Sequence, residues 1–256
     1  MRFKFIPPFQ LENLSLSDRY RNIQLQYIKE IEDEGLLDGI EWDIDPGVPG
    51  PHVDSREELA YIVPGILNIV REVSNSGRYD AIIILGGLDP GLYEAREISR
   101  IPVVGCTHSA IHIASLLGHK FSVIDATESM AIKIRHNIMM YGLNEKCASV
   151  RSIQLFAEER REAWKTASKT WIDKAVQEAV NAIDNDGADV ITFGCTGLMW
   201  MQPHVQKRLK ELGYDVPVLH SIKCAVEVAK ALVNMKQTHS KMAFPHLAKR
   251  EKAIPR

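Results

Sequence analysis

The amino-acid sequence predicts an α/β protein with two pseudo-symmetric lobes, mainly parallel sheets and an active site in the cleft between the lobes. Two continuous apolar runs, 81–85 and 190–193, each end in a glycine-rich turn, which is typical of parallel strands covered on both faces. Strand and helix patterns alternate along the remaining chain, and such alternation favours parallel strands joined by crossover helices. The 256 residues are 45% hydrophobic, which is enough to bury one large core or two smaller ones.

The first half of the chain begins with a short predicted strand at 2–6 that ends in a stiff loop at Pro7-Pro8. Apolar residues at helical spacing then predict a helix over 18–34, which Gly35 closes. A strand at 39–44 and a Pro- and Gly-rich loop at 45–51 are expected next. The helix predicted over 55–73 opens with a capping box and is kinked at Pro64-Gly65. The remaining elements expected up to residue 118 are a strand at 81–85, a helix after Asp89-Pro90, a strand at 102–105 and a helix that ends at Gly118.

The second half repeats the alternation of strands and helices. Its predicted elements are a strand at 120–125, a helix over 128–141, a strand at 149–153, one long amphipathic helix over 157–184, a strand at 190–193, a short helix over 203–212, a strand at 216–219 and a last helix over 222–235. The basic tail at 237–256 is expected to be weakly structured or docked on a neighbour.

Two pairs of segments match each other within the chain and suggest an internal duplication. Residues 79–87 align with 188–196, and 102–110 align with 217–225. Long-period similarity of this kind predicts two copies of one α/β unit that face each other. The alternative is that any two buried strands followed by glycine look alike. The duplication divides the chain into a discontinuous lobe of 1–106 plus 220–256 and a second lobe of 107–219.

Composition and charge narrow the classes of partner. The formal net charge is -2, so the sequence gives no reason to expect a nucleic-acid or membrane partner. The N-terminus lacks the apolar region of a signal peptide and no run is long enough to span a membrane, so we expect a cytoplasmic protein. The four cysteines show no C-x-x-C spacing, which argues against a zinc site. We expect a small anionic or carbonyl substrate, no cofactor and no metal, with a homo-oligomer left open.

Cys195 is the candidate catalytic residue, because it stands at the end of a predicted buried strand on the turn Gly194-Cys195-Thr196-Gly197. Open α/β sheets bind ligands at this end of their strands. Backbone N–H groups and helix N-termini near such a turn lower a thiol's pKa and hold an anionic substrate. Thr196 and Gly197 are the corresponding candidates for binding a developing oxyanion. The structural alternative is a buried thiol on an ordinary turn.

Further candidate substrate-binding residues lie at the ends of the other predicted strands. Gly86 and Gly87 are expected to let the backbone approach substrate closely, or else only to form a tight turn. Cys106 and Thr107 follow the neighbouring strand, and His220 holds the comparable place in the other half; packing and a local hydrogen bond are their alternative roles. Near the first turn, Asp89 is interpreted as a cap for the helix that follows it rather than as a base.

Four segments together resemble the aspartate/glutamate/hydantoin racemase superfamily, and within it the hydantoin and allantoin racemases most closely. They are Asp89-Pro-Gly-Leu-Tyr-Glu-Ala-Arg-Glu97, Pro102-Val-Val-Gly105, Ala114-Ser-Leu-Leu-Gly-His-Lys-Phe-Ser-Val123 and Ala188-Asp-Val-Ile-Thr-Phe-Gly-Cys-Thr-Gly-Leu198. The resemblance covers nearly the whole chain. It implies two α/β lobes with the active site between them and a cofactor-independent reaction in which cysteines exchange the proton next to a carboxylate or carbonyl.

The chain departs from the superfamily at two places. Gly86 stands where the resemblance places the first racemase cysteine, so that only the second, Cys195, is kept. Pro7-Pro8-Phe9 replaces the Asn-containing loop usual after the first strand. A displaced second acid/base at Cys106 stays open, because Gly105-Cys-Thr-His108 resembles the segment around the second catalytic cysteine of glutamate racemases, although it lies on a different strand.

Three functions follow from these residues. The first is a racemase or isomerase of small carboxylates, hydantoins or ureides with Cys195 as the single thiol acid/base. The second is a lyase similar to arylmalonate decarboxylase, which also has glycine at the first position, since loss of carbon dioxide forms the carbanion without a base. The hydroxyl residues that follow that glycine in the decarboxylase are replaced here by Gly87-Leu88. The third is a non-catalytic binder of a small anion.

Overall fold

Two four-stranded parallel sheets with helices around them form the structure, a computed structural model that describes residues 1–9, 23–50 and 55–245. The strands are β1 (Arg2–Ile6), β2 (Glu41–Ile44), β3 (Ala81–Ile84), β4 (Val103–Gly105), β5 (Phe121–Asp125), β6 (Cys147–Ser152), β7 (Val190–Phe193) and β8 (Val218–Leu219). The helices are α1 (Ile23–Asp33), α2 (Arg56–Asn75), α3 (Leu92–Ile98), α4 (Cys106–Leu117), α5 (Glu128–Met140), α6 (Ala157–Lys165), α7 (Lys169–Asp184), α8 (Gln202–Glu211) and α9 (Ser221–Asn234).

The two sheets have the same topology. The first sheet has the strand order β2-β1-β3-β4 and the second the order β6-β5-β7-β8, with parallel pairing at every step. In each sheet the first strand in sequence lies between the second and the third, and helices cross over between successive parallel strands. The predicted α/β fold with two equivalent halves is confirmed, and the domain boundaries at 106/107 and 219/220 stay a prediction.

Matching hydrogen bonds confirm that the alignment of the two halves is correct. Asp80 accepts a bond from the backbone N–H of Arg2 at 2.7 Å, and Asp189 accepts one from that of Lys120 at 2.9 Å. The amide of Leu85 bonds the carbonyl of Ile6, and the amide of Gly194 bonds that of Ile124. The next residues along the two chains, Gly86 and Cys195, therefore hold equivalent positions.

Hydrophobic clusters cover both faces of both sheets. The largest cluster joins residues of both sheets with helices α1, α7, α8 and α9, and it includes Phe5, Ile83, Ile124 and Phe193, each completely buried. A second cluster packs α2 and α3 on the outer face of the first sheet, and a third packs α4 and α5 on the second sheet. Because different clusters cover the two faces of β3 and β7, these strands read as continuous apolar runs instead of alternating ones.

Three predicted helices differ in detail from the observed ones. The helix predicted over 157–184 is two helices, α6 and α7, separated at Ala167, whose φ is 43°. The amide of Ser168 bonds the carbonyl of Ala163 and so closes α6 in the manner of a Schellman turn. The capping box at Ser55 and Glu58 is present, and α2 runs as one helix through Pro64 to Asn75. The helix predicted over 18–34 corresponds to α1 (Ile23–Asp33). Residues 18–22 of that prediction lie outside the described residues.

The C-terminal segment 237–245 docks on the first half of the same chain. Lys241 donates from Nζ to the carbonyl oxygens of Arg96 and Ser99, at 2.9 and 2.6 Å, at the end of α3. His239 accepts a bond of 2.8 Å from the amide of Val103 in β4. Residues 246–256 lie outside the described part of the chain. In the ranges that the structure covers, no helix is both long and apolar enough to cross a membrane.

Candidate active site

A cavity lies at the carboxyl ends of β3 and β7, where the turns of the two halves meet. The space open to the centres of water-sized molecules is about 70 Å³, room for several waters and so for a small substrate. Its lining combines many apolar side chains with a few polar groups, as is usual for small-molecule sites. The lining residues are Pro8, Phe9, Ile23, Gln24, Leu59, Gly86, Gly87, Leu88, Pro90, Met130, Arg160, Cys195, Thr196 and Gly197.

Cys195 stands at the point where β7 ends and a 3-10 helix, Thr196–Met201, begins. Its backbone is extended, with φ −104° and ψ 125°, and its side chain is half-buried against the cavity. Thr196 and Gly197 line the same cavity and carry the first N–H groups of the 3-10 helix, which have no partner within that helix. The sequence predicted this cluster, and the structure brings its three residues together.

The two strand-end turns touch through their backbones. A Cβ atom on Gly87 would overlap the carbonyl oxygen of Gly194 and lie 2.9 Å from the Cα of Cys195. The hydroxyl of Thr107 donates to the carbonyl of Gly87 at 2.6 Å and lies 3.5 Å from that of Gly194. Glycine at 87 is therefore required by the close approach of the two halves. The hydroxyl of Thr107 links the two turns, because it lies within 3.5 Å of a carbonyl oxygen in each.

The position equivalent to Cys195 is filled by Gly86, and its surroundings leave little room for a side chain. A Cβ on Gly86 would lie 2.8 Å from Cδ of Pro90 and 3.5 Å from Cγ of Pro8. Both prolines line the cavity, together with Leu88. The wall around Gly86 is thus formed by backbone and apolar rings.

Three residues predicted to contact substrate are not part of the lining of this cavity. Cys106 is completely buried, its thiol donates to the carbonyl of Ile84 at 3.3 Å, and burial raises its pKa well above the usual value. Thr107 is buried and serves the turns as described above. His220 caps α9 by accepting from the amide of Lys223, lies against a different cavity, and has a pKa lowered to about 3 by burial.

All three residues lie at the N-terminal end of a helix: Cys106 and Thr107 are buried there, whereas His220 faces a different cavity. Cys106 and Thr107 open α4, and His220 precedes α9. A position next to a strand end correctly predicted that these residues lie near the ends of the strands. The direction of each side chain, however, depends on the helix that follows the strand.

Two polar lining residues, Gln24 and Arg160, were not among the predicted site residues. Gln24 on α1 is 2% exposed, and Arg160 on α6 is 3% exposed with its Nε donating to the carbonyl of Leu155. Gln24 shares its helix face with the apolar residues Tyr27, Ile28 and Ile31 at helical spacing. A polar residue inside an apolar stripe was the signal that could have identified Gln24, whereas the charged sequence of α6 gives no such signal for Arg160.

Asp89 caps a helix, but not the one that the sequence suggested. Its carboxylate accepts from the amides of Thr107 and His108, at 3.1 and 2.7 Å, in the first turn of α4, and from the hydroxyl of Tyr141. The N-cap of α3 is Gly91, which has no side chain to make a capping bond. Burial raises the pKa of Asp89 to about 7, more than these donors and the nearby Arg96 lower it.

Comparison with known proteins places this site in a family. The model of the Asp/Glu/hydantoin racemase family matches residues 45–229, which is more than half of the chain. The chain belongs to the Asp/Glu/hydantoin racemase family. A hydantoin racemase from Rhizobium meliloti is 30% identical over 198 residues, covering 76% of this chain and 78% of that protein.

Solved structures show the same fold. Allantoin racemase from Klebsiella pneumoniae is similar to this racemase-family chain with a TM-score of 0.76 and 25% identity, covering 96% of this chain and 94% of that one. A mutant of arylmalonate decarboxylase in its liganded form gives a TM-score of 0.61 at 17% identity, over 91% of this chain and 92% of that one. The resemblance inferred from sequence is confirmed, and the chain is an enzyme of the racemase class of isomerases.

Within the described part of this family member, no group of three or more His, Cys, Asp or Glu side chains is arranged to hold a metal ion.

Proposed function

We propose that this racemase-family enzyme acts on the carbon next to a carboxylate or carbonyl of a small substrate of amino-acid, hydantoin or ureide type. Cys195 is the single thiol acid/base. One observation carries this: among the described lining residues, Cys195 and Arg160 are the ionisable ones, and an arginine stays protonated at any physiological pH. Proton transfer near neutral pH falls to Cys195.

The groups beside Cys195 suit the charge that the reaction develops. Removing a proton next to a carbonyl places negative charge on the carbonyl oxygen, and donors aimed at that oxygen lower the barrier. The backbone N–H groups of Thr196 and Gly197 and the hydroxyl of Thr196 are the donors proposed for this role. Arg160 adds positive charge to the lining, which favours an anionic or enolate-like species.

The wall around Gly86 determines what one thiol can do. Inversion of a stereocentre needs proton exchange at both faces of the carbon, and the described lining residues around Gly86, namely Pro8, Leu88 and Pro90, carry no acid or base. For an isomerase with one thiol in the cavity lining, we propose that the second proton comes from water or from the substrate itself. The same apolar wall favours a second candidate, a lyase of arylmalonate-decarboxylase type, in which carbon dioxide leaves on that side and Cys195 protonates the enediolate.

Hydrogen exchange in deuterated water tests these assignments. The enzyme is incubated with 5-monosubstituted hydantoins, allantoin, α-amino acids and arylmalonates, while proton NMR, polarimetry and carbon dioxide release are followed together. Exchange of the α-hydrogen with loss of optical activity supports the isomerase, and carbon dioxide release from a malonate supports the lyase. A ligand that raises Tm and gives neither reaction supports the non-catalytic binder.

The matched variants are Cys195→Ala and Cys106→Ser. We expect the first to lose turnover by at least about 100-fold, the lower end of the contribution of a positioned acid/base. We expect Cys106→Ser to keep most of the turnover, because its buried thiol is not part of the cavity lining and a hydroxyl can keep the bond to Ile84. Full activity in Cys195→Ala contradicts the proposed mechanism.

A further inference from the structure

Gln24, on helix α1, contacts both strand-end turns of the site through its side-chain amide. It lies in the first turn of α1 and is 2% exposed. Its Nε2 donates to the carbonyl of Leu85 at 3.1 Å and lies 3.4 Å from Oγ1 of Thr196. Leu85 precedes Gly86 in the first turn, and Thr196 follows Cys195 in the second, so the amide of Gln24 bridges the residues next to both equivalent positions.

The bond to Leu85 fixes which way the amide points. A backbone carbonyl only accepts, so the nitrogen of Gln24 must face it and the oxygen must face elsewhere. That oxygen, Oε1, is buried and has no hydrogen-bond donor among the described residues. An unsatisfied buried acceptor costs about 1–3 kcal/mol, so native structures seldom retain one without a further role. Gln24 also lines the cavity.

We propose that Oε1 of Gln24 accepts a hydrogen bond from an amide or ureide N–H of the substrate and selects substrates that carry one. The reaction itself rests on the proposed function above, and this inference names the chemical class that the same site takes. A second acceptor, such as a carboxylate oxygen, is repelled by Oε1. An ammonium group is disfavoured because the guanidinium of Arg160 lines the same cavity. A neutral N–H next to a carbonyl suits both side chains, because the N–H can donate to Oε1 of Gln24 and the carbonyl can accept from the guanidinium of Arg160.

The placement of Gln24 indicates which part of the substrate it contacts. Its amide touches residues adjacent to both Cys195 and Gly86, so the N–H that it binds belongs to an atom bonded to the reacting carbon or one bond further. Hydantoins and ureides have this arrangement, with an N–H directly attached to the carbon that carries the exchangeable hydrogen. A site that hydrogen-bonds an N–H discriminates strongly against an analogue that lacks it.

Binding of an unreactive ligand separates this inference from catalysis. 5,5-Dimethylhydantoin has no exchangeable hydrogen at the reacting carbon, and its 1-methyl and 3-methyl derivatives each replace one N–H by N–CH₃. Calorimetric titration of the wild-type chain is expected to show binding of the parent and at least about 10-fold weaker binding of one derivative. Failure of the parent to bind, or equal binding of all three, overturns the inference.

Two substitutions at Gln24 distinguish recognition from a structural role. Gln24→Met keeps the length but removes the acceptor, and we expect the preference for the parent over the weaker derivative to fall to less than about 3-fold. Gln24→Glu keeps an acceptor oxygen and is expected to retain the preference even if the chain is less stable. A purely structural role would weaken all three ligands equally, and an unchanged preference in Gln24→Met overturns the inference.

Two further controls complete the experiment. Gln26→Met makes the same change at an exposed position of α1 and is expected to leave all three affinities unchanged. Cys195→Ala should bind the three hydantoins with the wild-type preference, because no proton transfer is involved. If exchange depends on Cys195 but N-methylation has no effect, the proposed function stands and this inference fails. If the binding preference is present without any hydrogen exchange, this inference stands and the proposed function fails.

Discussion

Gly87 and Gly194 are in backbone contact across the two halves of the chain, so closely that a Cβ on Gly87 would overlap the carbonyl oxygen of Gly194. The turn that carries Cys195 is thus positioned by the turn that carries Gly86 and not only by its own strand. The hydroxyl of Thr107 adds a bond to the carbonyl of Gly87. Any change that separates the two turns is expected to move the thiol.

Gly87→Ala should therefore lower both stability and activity. We expect a loss of about 3 kcal/mol or more in the free energy of unfolding, because backbone atoms cannot move aside as a flexible side chain can. Gly142→Ala is the matched control: its Cβ would meet nothing within 4 Å, but its φ of +73° costs about 1–2 kcal/mol. Urea unfolding and α-hydrogen exchange measure the two effects. Equal losses in the two variants would show that the contact is not rigid.

Gly86→Cys should not simply restore a second thiol to the site. The new Cβ would lie 2.8 Å from Cδ of Pro90, and we expect a destabilisation of about 1–3 kcal/mol from overpacking. Pro90→Ala removes the ring, so the double variant should be more stable than the sum of the single effects by at least about 0.5 kcal/mol. A double-mutant cycle by urea unfolding checks this. Strict additivity would mean that the proline does not limit the site.

Asp89 should stabilise the fold by capping the first turn of α4, which contains Thr107. Asp89→Ala leaves the amides of Thr107 and His108 without their acceptor, and we expect a loss of about 2–4 kcal/mol. Asp89→Asn should cost clearly less, since one acceptor oxygen remains and asparagine tolerates the φ of 48° at this position. Chemical unfolding at fixed pH compares the two variants, and identical losses would argue against the capping role.

His239 should make the docking of the C-terminal segment sensitive to acid. Burial lowers the pKa of this imidazole to about 4 in the folded chain, against about 6.5 when unfolded. A depressed folded pKa gives a stabilising contribution that is present above pH 6.5 and is lost as the pH falls towards 4. His239→Gln keeps an acceptor for the amide of Val103 and does not titrate.

The wild-type chain should therefore lose at least about 1 kcal/mol relative to His239→Gln between pH 6.5 and 4.5, after allowing for the partial exposure of the ring. Urea unfolding at several pH values measures the difference. A gap between the two proteins that does not change with pH would show that His239 titrates normally in the folded state.

Most strands and helices could be predicted because the local pattern and the tertiary structure agree. The run at 81–85 is continuous and apolar because its two faces pack in different clusters, and Ser55 caps α2 as its spacing indicates. The break between α6 and α7 was missed because it is made by Ala167 in a left-handed conformation, without a glycine or proline to mark it. Strand β8 has two residues, too few to define its bounds by pattern.

The site could be predicted only where the backbone alone determines it. Strand ends located Cys195, Thr196, Gly197, Gly86 and Gly87 correctly at the cavity. Cys106 and His220 also follow strand ends, but Cys106 is buried at the start of α4 and His220 caps α9 beside a different cavity. Gln24 and Arg160 come from helices far away in sequence, and only the three-dimensional packing brings them to the turns.

The repeated topology of the two sheets has an evolutionary consequence. In a symmetric dimer of identical half-length chains, every substitution at a strand-end turn would appear twice, and the two sides of the cleft would stay alike. Here both copies are encoded in a single polypeptide, with sheets β2-β1-β3-β4 and β6-β5-β7-β8. Each copy is free to diverge, so one turn has a cysteine while its counterpart has a glycine shielded by a proline. A single chain therefore permits an asymmetric site in a framework whose two halves have the same topology.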